Sequence, residues 1–162
     1  MRIGHGFDIH PLVRGRRLML AGVHVPCETG ALGHSDADVV LHALADAFLG
    51  ALGLGDIGEW FPDSSPEWKD ADSSHLVERV LWELQEQGAR PVNIDLTIYL
   101  ERPKLGPLKD AMRDHLATLT GLDRSCIGLK ARTFEGFGPI GHGDAVAATA
   151  VVLVELGESN RP

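Results

Sequence analysis

Asp8 and His10 stand two residues apart in the opening segment MRIGHGFDIHPL, and His42 lies inside SDADVVLHALADAFLGALG. In a strand, residues two apart share a face, so FDIHP projects a carboxylate and an imidazole side by side, half of a metal site. His42 has Asp38 and Asp46 four residues away on either side, the spacing that shares a helix face. It can be a core histidine satisfied by those neighbours, or the third ligand of an Asp-His-His set. Three N/O donors are the set of a catalytic zinc, which keeps one position open for an exogenous oxygen such as that of a phosphate. In that case Asp38 or Asp46 would receive the other ring N–H of His42 and fix its tautomer. His5 is one residue out of phase with Asp8 and His10, so a straight strand turns it away.

Two further stretches carry polar chemistry. GHSD, from Gly33 to Asp36, closes a loop at a helix N-terminus, where free N–H groups attract anions. His34 and Ser35 are there as phosphate contacts or as a plain cap with an incidental histidine. In KARTFEG, Lys130 and Arg132 share one strand face while Thr133 and Glu135 share the other, so an unbent strand cannot bring all four to one site. The glycines of EGFGPIGHGD do not form the G-x-x-x-x-G-K-[ST] phosphate loop and read as a hairpin turn.

These residues need elements to position them. A helix is expected from Ser35, with Asp36 and Asp38 in its first turn and Gly53 or Gly55 at its end. DIGEWFPDSSPEWKDADSS has no periodicity and reads as a long, mobile, functional loop. A second helix is expected over Ser74 to Gln87, with Leu76, Val77, Val80, Leu81 and Leu84 as its apolar stripe. PVNIDLTIYL alternates, with Val92, Ile94, Leu96, Ile98 and Leu100 on one face and Asn93, Asp95, Thr97 and Tyr99 on the other. A third helix follows Pro107; CIGLKARTF and AVAATAVVLVEL complete the strands, and residues 157–162 read as a frayed tail. The order predicts a single α+β domain over 1–162, a mixed β-sheet packed against three α-helices on one face. The other face is left for a second subunit.

Composition narrows the function. Fifteen basic residues against 23 acidic give a net charge of −8, which repels a polyanion, so nucleic acid is not an expected partner. The longest apolar run, AVAATAVVLV, is about half a membrane span, and the N-terminus lacks the pattern of a signal peptide. No membrane partner is expected, and the location expected is cytoplasmic. Cys27 and Cys126 sit far apart and suggest neither a disulfide framework nor a thiolate zinc site.

Taken together, RIGHGFDIHPL, GHSDADVVLHALADAFLGALGLGDIG with FPDS after it, the ERPKL turn and KARTFEGFGPIGHGDA resemble one family along nearly the whole chain. That family is the 2-C-methyl-D-erythritol 2,4-cyclodiphosphate synthases of the non-mevalonate isoprenoid pathway. The resemblance implies conversion of 4-diphosphocytidyl-2-C-methyl-D-erythritol 2-phosphate to the cyclic diphosphate plus CMP. It assigns zinc to Asp8, His10 and His42, and a second divalent ion, magnesium or manganese, to Glu135. His34 and Thr133 match the positions that polarise the reacting phosphates, and Ser35 joins them at the substrate.

By the same resemblance Asp56, Ile57 and Gly58 hold the erythritol diol, and Phe61, Pro62, Asp63, Ser64 and Ser65 lie over the substrate. Leu100, Glu101, Arg102, Pro103, Lys104, Leu105 and Gly106 surround the cytidine diphosphate portion with Ala131, Arg132, Thr133, Phe134 and Glu135. His142 is also carried over as a ligand contact. It stands where arginine is common, and Pro139 where an aromatic is common, in a central cavity that can hold an isoprenoid diphosphate. A neutral histidine is a weaker anion partner than arginine, so that ligand is not expected here. The family forms homotrimers with each active site between two subunits. The other activities compatible with these residues are a zinc phosphohydrolase and a non-catalytic cytidine-nucleotide-binding trimer.

Overall fold

A computed structural model of the chain describes residues 1–157 except 63, 66, 67 and 69. Asp63 and the expected tail beyond 157 therefore lie outside the described residues.

The chain runs β1 (Arg2–Arg14), β2 (Leu18–Leu20), β3 (Val23–Val25), β4 (Thr29–Ala31), α1 (Val39–Leu52), α2 (Ile57–Trp60) and α3 (Ser73–Glu86). It continues through β5 (Ala89–Tyr99), α4 (Lys109–Thr120), β6 (Ile127–Arg132), α5 (Gly138–His142) and β7 (Ala145–Leu156). The main sheet has five strands in the order β4-β1-β7-β5-β6, and β2 pairs with β3 in a small separate ribbon. Only β5 and β6 run parallel; the other neighbours are antiparallel, which makes the sheet mixed.

The period-two pattern of the strands decides which face is covered. Ile94, Leu96 and Ile98 of β5 and Val146, Ala148, Ala150, Val152 and Val154 of β7 are buried under the helices. Val92 departs from the expected face because a register shift between Pro91 and Asn93 places it in a bulge. On the opposite face Asp95, Thr97 and Tyr99 are half-buried, and Ile3, Phe7, Ile9 and Val151 are exposed apolar residues.

Three expectations need correction. The glycine-rich segment before β7 is not a hairpin: β6 lies at the sheet edge and β7 in the middle, with β5 between them. Within that segment GPIGH folds as α5, and its Ile140 packs with Ala145, Ala147 and Tyr99 on the face away from the long helices. Not every helix therefore lies on one face. The first helix starts at Val39, not Ser35, because Asp38 is its N-cap and accepts from the Val40 and Leu41 amides. Asp38 is fully buried and also accepts from Ala21 N at 3.0 Å and Gly22 N at 2.7 Å. One carboxylate thus ties the β2–β3 turn to the start of α1. The helix ends at Gly53, whose φ of 72° closes it in the left-handed region.

Candidate metal centre and adjoining cavities

Helix α1 lies on β1 with almost nothing between them, because the facing strand residues are Gly4 and Gly6. A Cβ on Gly4 would sit 1.7 Å from the Ala47 carbonyl oxygen, and one on Gly6 would sit 2.0 Å from that of Ala43. Asp8 and His10 continue the same face of the strand, one pleat further each time. Beyond the glycines side chains fit again, and there Asp8 and His10 meet His42 from the first turns of α1.

The three donor atoms form a triangle. Asp8 Oδ2 is 3.0 Å from His42 Nδ1 and 3.1 Å from His10 Nε2, and the two histidine nitrogens are 3.3 Å apart. This is the only group of three or more His, Cys, Asp or Glu side chains among the described residues whose donor atoms converge in this way. Burial would raise the Asp8 carboxyl, but hydrogen bonds from His10 and His42 overcome it and hold the group well below the usual carboxylate range. Burial pushes His42 down, and Asp8 outweighs that and raises it. The centre therefore favours a cation beside an ionised carboxylate.

The second nitrogen of His42 does not go to Asp38 or Asp46, as the helix spacing suggested. Asp38 is committed to the four amides at the start of α1 and the β2–β3 turn, and Asp46 accepts from Ile57 N at 2.7 Å. His42 Nε2 instead lies 3.0 Å from each of the Ser35 and Ser73 hydroxyls. Ser73 and its partner Asp36 were not among the expected site residues. A buried serine opening a helix is a pattern for capping, and only the fold turns it toward His42.

The triangle opens into a cavity of about 410 Å³, lined among others by His34, Ser35, Ile57, Gly58 and Phe61. Trp68, Leu32 and Leu76 also line it without having been expected. Phe61 and Trp68 meet edge to face, with ring centroids 4.9 Å apart, and supply its apolar wall. His34 Nε2 contacts the Ser65 carbonyl at 3.2 Å, which ties the loop before α1 to the segment after α2. Asp56 caps α2 through the Glu59 amide and does not line the cavity, while Pro62 and Ser64 are exposed.

A second cavity of about 390 Å³ gathers Leu100, Glu101, Pro103, Lys104, Leu105 and Gly106 with Ala131, Arg132, Thr133 and Glu135. Strand alternation does not separate Arg132 from Thr133 and Glu135, because β6 stops at Arg132 and Glu135 takes a φ of 50°. Thr133 Oγ1 donates to Glu135 Oε1, and Glu101 Oε2 accepts from Phe134 N at 3.1 Å. Lys130 leaves the group and pairs with Asp95 across the strands. Lys109 joins the lining unexpectedly. Arg102 is exposed, Phe134 packs edge to face on Tyr99, His142 is exposed at the end of α5, and none of the three lines either cavity. No residue lines both cavities.

An α+β domain that converges one carboxylate and two imidazoles at the mouth of a cavity belongs to the class of proteins able to hold a metal ion beside a ligand space. The chain belongs to the YgbB family, which it matches over residues 1–155. It is 51% identical over 155 residues to the 2-C-methyl-D-erythritol 2,4-cyclodiphosphate synthase of Salinibacter ruber, covering 96% of this chain and 99% of that one. The enzyme of the same name from Thermosynechococcus vestitus is 52% identical over 157 residues, covering 97% and 98%. A solved structure of a 2C-methyl-D-erythritol-2,4-cyclodiphosphate synthase in its CDP-bound form aligns with a TM-score of 0.89 at 43% identity, over 95% of this chain and 100% of that one.

Proposed function

We infer that the chain is a cytoplasmic, single-domain enzyme of non-mevalonate isoprenoid synthesis. It is a lyase that converts 4-diphosphocytidyl-2-C-methyl-D-erythritol 2-phosphate to 2-C-methyl-D-erythritol 2,4-cyclodiphosphate and CMP. The observation that carries this reading is the Asp8–His10–His42 triangle at the mouth of a cavity, in a chain about half identical to such synthases over nearly its whole length.

The triangle fits zinc. Donors about 2.0–2.1 Å from a tetrahedral ion lie about 3.3–3.4 Å apart, so sides of 3.0, 3.1 and 3.3 Å need only a slight opening. Zinc held there and magnesium or manganese at Glu135 would supply Lewis-acid stabilisation of the phosphate charge, worth several kcal/mol.

The chain's own residues do the rest. An oxygen of the 2-phosphate forms a bond to the β-phosphorus, the bond from that phosphorus to the bridging oxygen breaks, and CMP carries the electron pair away. No water is consumed. The nucleophile is already anionic, so the demand on the protein is to overcome charge repulsion and hold the two ends together. His34 stands at the cavity wall to donate to a phosphate oxygen. The Thr133 hydroxyl, which donates to Glu135 in the free protein, stands at the wall of the second cavity to donate to the diphosphate. Phe61 and Trp68 exclude water above the erythritol, which Ile57 and Gly58 hold at the cavity wall, with Asp56 capping the turn that presents them.

The enzyme works as a homotrimer with active sites between subunits. β1, which carries Asp8 and His10, and β6, which ends just before Thr133, stand three strand spacings apart, about 14 Å, and no residue lines both cavities. This separation supports a site in which the zinc side of one chain is completed by the Leu100–Gly106 and Ala131–Glu135 side of the next.

Phosphorus NMR of the purified protein with substrate and magnesium tests the reading. CMP and a cyclic diphosphate without orthophosphate are expected. Orthophosphate would make the protein a hydrolase, and nucleotide binding without turnover would make it a binding trimer.

A further inference from the structure

The hydroxyls behind His42 take no part in the reaction just described, yet their protons can be counted. Ser73 Oγ donates to Asp36 Oδ1, since an ionised carboxylate only accepts. A hydroxyl has one proton, so with that proton on Asp36 the Ser73 oxygen faces His42 as an acceptor. The proton in the 3.0 Å contact between Ser73 Oγ and His42 Nε2 then belongs to the imidazole. Nδ1 faces the ionised Asp8 carboxylate and donates to it in the metal-free protein, so an ion that displaces that one proton finds the Nδ1 lone pair in the triangle with Asp8 and His10 while Nε2 keeps its proton.

Ser35 agrees with the same count. Its Oγ accepts from Ala37 N at 3.1 Å and lies 3.2 Å from Ser73 Oγ, so its proton goes to the free lone pair of Ser73. Ser35 is 5% exposed and Ser73 fully buried, so water does not compete for these bonds. Asp36 is itself held, Oδ1 by Asp38 N at 3.2 Å and Oδ2 by Ser73 N at 3.3 Å.

We propose that Asp36 and Ser73 form a positioning relay that fixes His42 as the Nε2–H tautomer and so presents Nδ1 to the metal. The proposal rests on Asp8, His10 and His42 being the metal ligands. It is a carboxylate–histidine–metal arrangement with a hydroxyl inserted between carboxylate and ring. Because Ser73 is the first residue of α3, the relay also ties the start of that helix to the metal centre.

The experiment compares the wild type with Ser73→Ala, in which Asp72 still caps α3 through the Ser74 amide. Without the Ser73 oxygen, the Ser35 proton is released and can turn to Nε2, and the tautomer is no longer fixed. Metal-stripped protein titrated with zinc against a chromophoric chelator should bind one zinc per chain. Ser73→Ala should bind it about 10–100-fold more weakly. Nitrogen NMR of the zinc-loaded wild type should show His42 with its proton on Nε2 and Nδ1 as the ligand atom. A zinc-loaded wild type carrying its His42 proton on Nδ1, or a Ser73→Ala variant that binds zinc as tightly as the wild type, overturns the relay. A wild type that takes up no stoichiometric zinc overturns the ligand assignment beneath it.

Discussion

Replacing Gly6 with alanine tests whether the distance between β1 and α1 sets the metal centre. The new Cβ would fall 2.0 Å from the Ala43 carbonyl oxygen and 2.9 Å from the Ala47 amide nitrogen, both backbone atoms that cannot rotate away. Contacts below 3.0 Å are essentially never seen for a real Cβ, so α1 has to retreat by about 1 Å at Ala43. His42 is the preceding residue and moves with it. The 3.0 Å separation of Asp8 Oδ2 and His42 Nδ1 then grows to about 4 Å, beyond the edge of about 3.4 Å that a tetrahedral zinc spans. Overpacking of this kind costs about 1–3 kcal/mol, and each kcal/mol lowers the melting temperature of a domain this size by about 2–4 °C. Chelator competition and thermal unfolding of metal-free protein should show both losses, with zinc affinity down by about 100-fold or more. Gly50→Ala is the control: it sits inside α1, its Cβ would have nothing closer than His5 O at 3.9 Å, and the helix should gain about 1 kcal/mol with zinc affinity unchanged. A Gly6→Ala variant that melts and binds zinc like the wild type would refute the claim that strand and helix are spaced by their lack of side chains.

His42→Ala should abolish stoichiometric zinc by elemental analysis and lower turnover by at least about 1,000-fold, since the ion is asked for several kcal/mol. An active variant without zinc would remove the assignment. Glu135→Gln should keep zinc and lose roughly 10- to 100-fold in turnover, most sharply at limiting magnesium, because the neutral amide is a poorer ligand for a hard cation. Kinetics unchanged across a magnesium titration would count against its role. Phe7→Lys places a charge on the exposed apolar sheet face, where Phe7 is 51% exposed, and should yield monomers that bind zinc but do not turn over. Monomeric yet active protein by light scattering and assay would disprove a shared active site.

Strand periodicity made the shared face of Asp8 and His10 legible, and the buried faces of β5 and β7 as well, because period two depends only on the pleat. His42 was legible as a helical residue, but its partners were not. Spacing of four pointed to Asp38 and Asp46, and both are consumed by backbone amides, those of Gly22 and Ile57 coming from outside α1. Ser73 lies 31 residues from His42 in sequence, and no local pattern connects them. The glycine-rich segment was misread for a related reason. Turn composition marks a reversal of direction, but not whether the next strand pairs with its predecessor or beyond it, and here β5 intervenes. The Thr133–Glu135 cluster escaped strand logic because the strand had already ended at Arg132.

The parity of β1 links chemistry to assembly. From Gly4 its even positions read glycine, glycine, aspartate, histidine: two gaps that admit the helix, then two side chains able to hold a metal where the helix no longer blocks them. Its odd positions read Ile3, His5, Phe7 and Ile9, and all four are exposed on the other face. His5, which no metal argument explained, is opposite Val151 on β7, which is in turn opposite Asp95 on β5. It belongs to the outward row, not to the site. A slip of one residue in the β1–β7 register would exchange the two faces, setting Phe7 and Ile9 against α1 and turning Asp8 and His10 outward. One register therefore determines both where Asp8 and His10 meet His42 and which apolar row stays exposed, so the two cannot be tuned independently along this strand.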